Sequence, residues 1–310
     1  MMKVVFDTDK NEEAKSSVVT IGTFDGVHIG HKVIIEKLKE QAKKLNCESV
    51  VITFFPHPRV VVNNDSKILL LTTLEEKKEL IEKLGVDKLY IINFTKDFAK
   101  KTYQEFLTET IIKKNKAKYI IIGYDHKFGK DRAGDKSNLM ELTKNNNIDI
   151  TVVNPQEIEG IVVSSTKIRN ALLDGNLDLA NKMLGRNYKV NGTVVEGSKR
   201  GRTLGFPTAN IEPSEKNKLL PQNGVYLVEV ILNNQKYFGV LNIGLRPTFN
   251  NRVEPIAEVY LLDFNEDIYG KEISIEFIKR LRDEKKFQSK EELITQIKKD
   301  IKEVRKILNK

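Results

Sequence analysis

Apolar and polar positions follow two alternating periods along the first half of the chain. Short apolar runs, typical of buried strands, fall at residues 18–21, 49–55, 88–94, 119–123 and 148–153. Segments with apolar residues three and four positions apart predict helices around residues 34–45, 74–84, 103–113 and 137–145. Strand, helix and strand in succession form a βαβ unit, so this half is expected to be a doubly wound parallel sheet.

The pattern changes near residue 186. Two short helical segments, at 166–173 and 177–184, precede the change. Six short runs after it predict strands without intervening helices, at residues 189–196, 208–211, 224–232, 236–243, 256–264 and 271–277. Asn233 and Asn234 indicate a tight hairpin turn between two of these strands. This arrangement predicts a small six-stranded antiparallel barrel.

The last segment predicts one long helix. Ser289 and Glu292 have the spacing of a capping box at its start. An apolar stripe follows at Leu293, Ile297, Ile301, Val304 and Leu308. We therefore expect two domains, of residues 1–186 and 187–310, the second ending in this helix.

Composition narrows the classes of protein. A length of 310 residues suits two domains, and a net charge of +9 suits anionic partners such as nucleotides, phosphates or RNA. No apolar run approaches the ~20 residues of a membrane-spanning helix, so no membrane association is expected. The first residues of the chain become acidic before an apolar signal-peptide core could form, so secretion is not expected. A single cysteine, Cys47, excludes an internal disulfide and a Cys-rich zinc site and favours the cytoplasm.

The segment after the first predicted strand, residues 22–31, has the composition of a phosphate site. Its three glycines let the backbone approach a ligand closely. His28 and His31 lie three residues apart at a helix start, so both can point the same way. A helix N-terminus attracts phosphate, and the imidazoles could stabilise charge at a phosphorus centre. The alternative is a glycine-rich turn with two surface histidines.

This segment resembles the signature of the nucleotidylyltransferase superfamily, including a literal His-Ile-Gly-His. Members join a nucleoside monophosphate unit to a phosphate or carboxylate and release pyrophosphate. The resemblance implies catalytic roles for His28 and His31. It also implies ATP contacts from Gly22, Thr23, Phe24, Asp25, Gly26, His28, Gly30 and His31.

A second part of that signature lies at residues 164–169, Ser-Ser-Thr-Lys-Ile-Arg. Hydroxyls and N–H groups at a helix start, with two cations, suit an anion. The alternative is a helix N-cap with solvated charges. The resemblance implies that the segment closes over the β- and γ-phosphates of ATP. The contacting residues would be Ser164, Ser165, Thr166, Lys167 and Arg169, with Arg169 also catalytic.

Two further segments, residues 53–59 and 123–129, follow predicted strands. All four histidines of the chain fall at predicted strand ends of this domain. Ordinary loop histidines are the alternative for His57 and His126, and no spacing supports a metal site. The segments resemble the flavin-adenylylating branch of the superfamily. That resemblance implies flavin contacts from Pro56, His57, Pro58, Asp125 and Phe128.

The loop at residues 192–210 is rich in glycine and cations and suits phosphate. It lacks the Gly-Lys-Ser/Thr of a Walker loop. Thr208 and Asn210 lie two apart on a short strand and share a face, and their oxygens suit Mg²⁺. A basic surface loop beside a polar strand face is the alternative.

This loop resembles the riboflavin kinase signature, which belongs to a six-stranded barrel. The resemblance implies ATP contacts from Gly192, Lys199, Gly201, Arg202, Gly205, Pro207, Thr208 and Asn210, with Thr208 and Asn210 as metal ligands. It implies flavin contacts from Arg246 and Glu258, with Glu258 as the general base. A carboxylate that accepts the ribityl hydroxyl proton suits phosphoryl transfer. Tyr260 departs from the family pattern, which has histidine there.

The two signatures in this order resemble the bacterial bifunctional riboflavin kinase/FAD synthetase family. The resemblance implies phosphorylation of riboflavin to FMN by ATP with Mg²⁺, followed by adenylylation of FMN to FAD. No carboxylate pair for a metal is evident in the first domain. Pantetheine-phosphate adenylyltransferase and glycerol- or choline-phosphate cytidylyltransferase are enzyme alternatives, but neither explains the barrel. An RNA-binding protein is the non-enzyme alternative, although no RNA-recognition aromatic motif is present.

Overall fold

The computed structural model divides the chain into two units, Met1–Ser165 and Thr166–Lys310. It describes residues 1–9, 15–62, 68–124, 140, 143–144, 146–196, 205–247 and 253–309. Most of the helix predicted around residues 137–145 lies outside the described residues.

The first unit is built on a six-stranded parallel sheet. Its strands are β1 Lys3–Phe6, β2 Ser17–Ile21, β3 Glu48–Phe55, β4 Lys88–Asn93, β5 Ala117–Gly123 and β6 Asp149–Val153. Their order is β1-β4-β3-β2-β5-β6, with every neighbouring pair parallel. The chain therefore passes from one side of β2 to the other, and ligands of such sheets bind at this switch point.

The predicted doubly wound sheet is confirmed, but the sequence pattern missed β1. This edge strand has four residues, and only Val5 among them is fully buried, so it carries almost no apolar periodicity. In contrast, all five residues of β2 are buried. Val19 and Ile21 pack on one face of the sheet and Val18 on the other, which is why β2 appears as a continuous apolar run.

The described helices that accompany the sheet are α1 Ile29–Leu45, α2 Pro58–Val62, α3 Leu74–Lys83 and α4 Tyr103–Glu105, the last continuing as π-helical turns over Phe106–Lys114. All except α2, a five-residue helix that was not predicted, lie at predicted positions. A short 3₁₀ turn at Phe98–Lys100 precedes α4. The sequence pattern also missed the hairpin of β7 Glu157–Ile158 and β8 Ile161–Val162, because two-residue strands are too short to show alternation.

The second unit is a closed six-stranded antiparallel barrel, as predicted. Its strands are β9 Tyr188–Val195, β10 Ala209–Pro213, β11 Gly224–Leu232, β12 Gln235–Pro247, β13 Val253–Leu261 and β14 Glu272–Arg282, in the order β10-β13-β12-β11-β14-β9. Asn233 and Asn234 both adopt positive φ, 49° and 61°, and make the predicted tight turn between β11 and β12.

Among the described residues, three helices accompany the barrel: α5 Ser165–Leu173, α6 Leu177–Leu184 and α7 Lys290–Ile307. Two contacts attach α5 and α6 to it. The Gln222 N–H donates to the Leu172 carbonyl at 2.9 Å, and the Asn181 amide donates to the Phe277 carbonyl at 2.9 Å. The terminal helix α7 packs on the barrel through Val304.

The start of α7 differs from the predicted capping box in one bond. The Ser289 hydroxyl accepts from the Glu292 N–H at 3.1 Å, as expected. The Glu292 carboxylate, however, accepts from the N–H of Gln288, one residue before the N-cap, at 3.1 Å. Among the helices described, none combines the length and apolar character needed to span a bilayer.

Two candidate active sites

The loop after β2 turns sharply into α1. Phe24 and Val27 adopt positive φ, 48° and 39°, and Gly26 lies between them at 84°. Phe24 and Val27 are buried in the apolar layer on one face of the sheet, which offsets the strain of these conformations. A Cβ atom at Gly30 would lie 3.2 Å from the His28 imidazole. Glycine at position 30 therefore leaves room for that ring.

His28 and His31 meet at the start of α1. His28 caps the helix, and its Nδ1 accepts from the His31 N–H at 3.4 Å. The two rings stack with their centroids 3.6 Å apart and their planes 18° apart. The Phe24 ring supports His31 at 5.0 Å. Both imidazoles thus lie at the positive end of the α1 dipole, where a phosphate is favoured.

Asp25 fastens this loop to the segment before α3. Its carboxylate accepts from the Leu71 and Thr72 N–H groups at 3.0 Å each, and the Thr72 hydroxyl lies 3.3 Å away. The same hydroxyl accepts from the Gly26 N–H at 3.0 Å. Asp25 is buried, so its carboxylate supports the loop from within the protein.

A buried lysine also lies behind the loop, and the sequence analysis did not single it out. Lys77 of α3 places its Nζ 3.5 Å from the Thr53 hydroxyl, which donates to the Thr23 carbonyl at 3.2 Å. A sequence signal exists, because Leu74, Lys77 and Ile81 have the three- and four-residue spacing of one helix face. A charge on an otherwise apolar face was that signal.

The two predicted phosphate motifs meet in the first unit. The Ser165 hydroxyl donates to the Asp25 backbone carbonyl at 2.8 Å, although 140 residues separate them in sequence. Ser164 precedes it in the same unit. Thr166, Lys167 and Arg169 belong to the first turns of α5, in the second unit.

The first predicted flavin segment follows β3. Its Phe55–Pro56 peptide bond is cis, and α2 begins at Pro58. The His57 Nδ1 accepts from the Arg59 N–H at 3.2 Å. Asp125, His126 and Phe128 of the other segment lie outside the described residues.

An aromatic cluster lies at the same end of β3 and β4. Its rings are in edge or tilted contact, with centroids 5.5 to 6.3 Å apart, and belong to Phe54, Phe94, Phe98 and Phe106. These rings are spread over more than fifty residues of sequence, and no local spacing could have grouped them.

The barrel carries a polar row across three adjacent strands. Glu258 of β13 lies opposite Asn210 of β10 on one side and opposite Asn242 of β12 on the other. Residues opposite each other in antiparallel strands share a face, so the three side chains project together. Alternation with buried Ala257 and Val259 places this row on the outer face of the barrel. Asn242 was not among the predicted site residues.

Asn210 has the properties of a ligand for a hard cation. The residue is 8% exposed, and its Oδ1 has no hydrogen-bond partner among the described residues. A buried, unsatisfied amide oxygen is unfavourable unless a ligand occupies it, and amide oxygens suit Mg²⁺. Thr208 lies two residues earlier, at the entry to β10. Across the part of the chain that can be described, no cluster of three or more His, Cys, Asp or Glu side chains could hold a metal.

The other residues predicted to bind ATP or flavin in the kinase lie at several different places in the barrel. At Gly192, a Cβ atom would collide with the Glu212 backbone carbonyl, so glycine is required for β9 and β10 to pair. Gly205 has φ 81° in open space. Pro207 follows Phe206, whose ring makes an edge contact with Tyr260 at 5.6 Å. Lys199, Gly201 and Arg202 lie outside the described residues, and Arg246 lies in β12 opposite Glu254.

Glu284 adjoins the polar row and was also missed. A Cβ atom at Gly244 would collide with the Glu284 carboxylate and lie 3.2 Å from the Asn242 amide nitrogen. Glu284 thus reaches back over β12 from beyond the end of β14. The two residues are 40 positions apart in sequence, so no local motif could predict this contact.

Comparison with known proteins assigns both units. A family model described as FAD synthetase matches residues 10–167, and one described as riboflavin kinase matches residues 184–308. Bifunctional riboflavin kinase/FMN adenylyltransferases from Listeria monocytogenes and Bacillus subtilis are 38% and 40% identical, each over 94% of this chain and 92% of their own. The Escherichia coli protein of that name is 38% identical over 91% of this chain and 90% of its own.

A solved structure from Streptococcus pneumoniae, described as a macrolide-efflux protein, has a TM-score of 0.89 and 35% identity, covering 98% of this chain and 99% of its own. That description concerns the other protein and disagrees with both family models. Each family model matches one structural unit, and together they span most of the chain. The chain belongs to the family of bifunctional riboflavin kinase/FMN adenylyltransferases.

Proposed function

We propose that the loop after β2 and the polar row on the barrel are the reaction centres of a two-step synthesis of FAD. The C-terminal part phosphorylates riboflavin to FMN, and the N-terminal part adenylylates FMN to FAD. The observation that best supports the placement is the opposition of Asn210 and Glu258, a cation-type ligand beside a carboxylate, on adjacent barrel strands. ATP is the proposed donor in both steps.

In the first step, the 5′-hydroxyl of riboflavin attacks the γ-phosphorus of ATP. Glu258 accepts the hydroxyl proton as the new P–O bond forms and ADP leaves. Thr208 and Asn210 would hold Mg²⁺, which neutralises charge on the ATP phosphates when it is bound. By family resemblance, ATP also contacts Gly192, Lys199, Gly201, Arg202, Gly205 and Pro207, and the flavin contacts Arg246.

In the second step, a phosphate oxygen of FMN attacks the α-phosphorus of a second ATP. The bond from that phosphorus to the bridging oxygen breaks, and pyrophosphate leaves. His28, His31 and the N-terminus of α1 stabilise the charge that develops on the phosphates. Asp25 shapes the loop, because one of its carboxylate oxygens accepts from the Leu71 and Thr72 N–H groups; its predicted contact with ATP rests on family resemblance.

The remaining assignments for the second step rest on resemblance. The β- and γ-phosphates are taken by Ser164, Ser165, Thr166, Lys167 and Arg169. The flavin is taken by Pro56, His57, Pro58, Asp125 and Phe128. The aromatic cluster at the end of β3 and β4 adds an apolar wall suited to a planar ring system.

We place the boundary between the two activities near residue 186, with residues 1–186 serving adenylyl transfer and 187–310 serving the kinase. In support, the FAD synthetase model ends at residue 167 and the riboflavin kinase model begins at residue 184, two residues before this boundary. A cytoplasmic location is proposed on the basis of the single cysteine.

The test is a time course of purified protein with riboflavin, ATP and Mg²⁺, with the flavins separated by chromatography. FMN that accumulates and then converts to FAD is the expected result. Omission of Mg²⁺ should stop FMN formation, as should Asn210→Ala, whereas Asn191→Ala, at a polar position of β9, serves as a matched control. Formation of neither product would refute the proposal.

A further inference from the structure

Lys77 is an ammonium group buried in the first unit, where charge is unfavourable unless it is satisfied. The residue is 6% exposed, and its Nζ lies 3.5 Å from the Thr53 hydroxyl. None of the predicted motifs contains it. Its position is informative because the hydroxyl that it contacts leads directly to the loop after β2.

The connection runs through one hydroxyl. Thr53 is fully buried near the carboxyl end of β3, and its Oγ1 donates to the Thr23 carbonyl at 3.2 Å. An ammonium has donors only, so the Thr53 hydroxyl must accept from Lys77 while it donates to Thr23. The charge on Lys77 therefore fixes the direction of the hydrogen bond that holds the loop backbone.

The helix that carries Lys77 is itself held against the loop. Thr73 and Glu76 form a complete capping box at the start of α3, and the Lys77 N–H donates to the Thr73 carbonyl at 3.0 Å. The preceding Thr72 bonds to Asp25 and Gly26 of the loop. Lys77 thus extends from a rigid turn that is already attached to the loop on its other side.

We propose that Lys77 is a positioning residue for adenylyl transfer, acting through Thr53 on the Thr23 carbonyl to fix the loop that presents His28 and His31. This inference rests on the proposed function of that loop as the ATP site. A displacement of about 1 Å in a reacting group can lower the reaction rate about 10²-fold. Without the ammonium, the Thr53 hydroxyl can rotate, which weakens its hydrogen bond to the loop backbone.

The experiment measures FMN adenylylation by the full chain carrying Lys77→Met, Thr53→Val or both changes. Methionine keeps the apolar stem and removes the charge. We expect each single variant to lower kcat by about tenfold or more, with a smaller effect on the KM for FMN. Because both act through one hydrogen-bond chain, the double variant should lose no more than the more impaired single variant. Lys77→Arg should recover much of the rate.

Two controls separate positioning from general destabilisation. Riboflavin kinase activity of the same molecules, carried by the other unit, should stay within about twofold and reports the amount of intact protein. Lys88→Met removes another buried ammonium of the same sheet, which is 2% exposed and lies 3.5 Å from Glu48. It should lower the melting temperature without a comparable loss of kcat.

Three results would overturn the proposal. The first is an unchanged kcat in Lys77→Met. The second is a double variant whose losses multiply, which would show that Lys77 and Thr53 act separately. The third is equal loss of kcat in Lys77→Met and Lys88→Met at equal melting temperatures. Failure of the underlying ATP site would look different, because His31→Ala would then leave FAD formation intact.

Discussion

The ion pair between Arg282 and Asp300 attaches α7 to the barrel and offers a quantitative test of the packing. Arg282 Nε lies 2.9 Å from one Asp300 oxygen, and its Nη2 lies 2.7 Å from the other. Gln296 donates to the same carboxylate at 2.8 Å. The side chains are only 18% and 4% exposed, so water screens the pair weakly.

Asp300→Ala would leave the Arg282 guanidinium partly buried without its carboxylate. Breaking a buried pair on one side costs about 3–5 kcal/mol. For a domain of this size, each kcal/mol corresponds to a fall in melting temperature of roughly 2–4 °C. We therefore expect the barrel transition to fall by about 6–20 °C. The change Arg282→Met with Asp300→Leu should recover most of this loss, because neither charge remains buried.

The assay is calorimetric melting, with residual kinase activity after heating to identify the barrel transition. Asp263→Ala is the matched control, since it breaks the pair with Arg305, which joins the same helix to the barrel but lies in solvent. Its effect should be much smaller. Equal shifts for Asp300→Ala and Asp263→Ala, or a double variant less stable than Asp300→Ala, would refute the assignment of stability to burial of this pair.

Three other changes test separate parts of the account. Asp25→Ala removes the carboxylate that accepts from the Leu71 N–H. Adenylyl transfer should fall, while kinase activity should persist. Calorimetry should show that the free energy of unfolding of the first unit is lower by about 1–3 kcal/mol. Burial raises the pKa of Tyr226 above its ordinary value of 10.0, against the opposing effect of Arg280. The unfolded chain therefore loses this proton first, stability falls as the pH rises above about 10, and Tyr226→Phe should make that fall shallower in urea titrations. Gly192→Ala places a Cβ against the Glu212 carbonyl, so the free energy of unfolding of the barrel, measured by urea titration, should fall by about 1–3 kcal/mol. Gly205→Ala is the control and should leave the pairing of the strands intact.

The sequence predicted those features that depend on local periodicity. The runs that became β2 and β3 are buried on both faces and stand out as continuous apolar segments. The strand β9 alternates strictly between buried and partly exposed residues, which made it equally plain. The edge strand β1 and the hairpin β7–β8 were missed because two to four residues cannot establish a period.

The candidate sites were predictable only in part. Motif residues such as His28 and His31 carry their own local geometry, because both stand at one helix start. Asn242 and Glu284 became visible only once strands distant in sequence were packed together. The helix-face spacing marks Lys77 as unusual, but only the packed structure shows that it contacts Thr53. The hydrogen bonds that Asp25 makes were not predictable for the same reason, since its partners Leu71 and Thr72 lie 46 and 47 positions away.

The central claim is that the two reactions occur at two separate centres, and substrate-specific assays of two variants test it most directly. Glu258→Gln should lose about 10²-fold or more of the conversion of riboflavin to FMN, yet convert supplied FMN to FAD at the normal rate. His31→Ala should show the reverse, accumulating FMN without FAD. Loss of both activities in either variant at an unchanged melting temperature, or of neither activity in Glu258→Gln, would contradict the account.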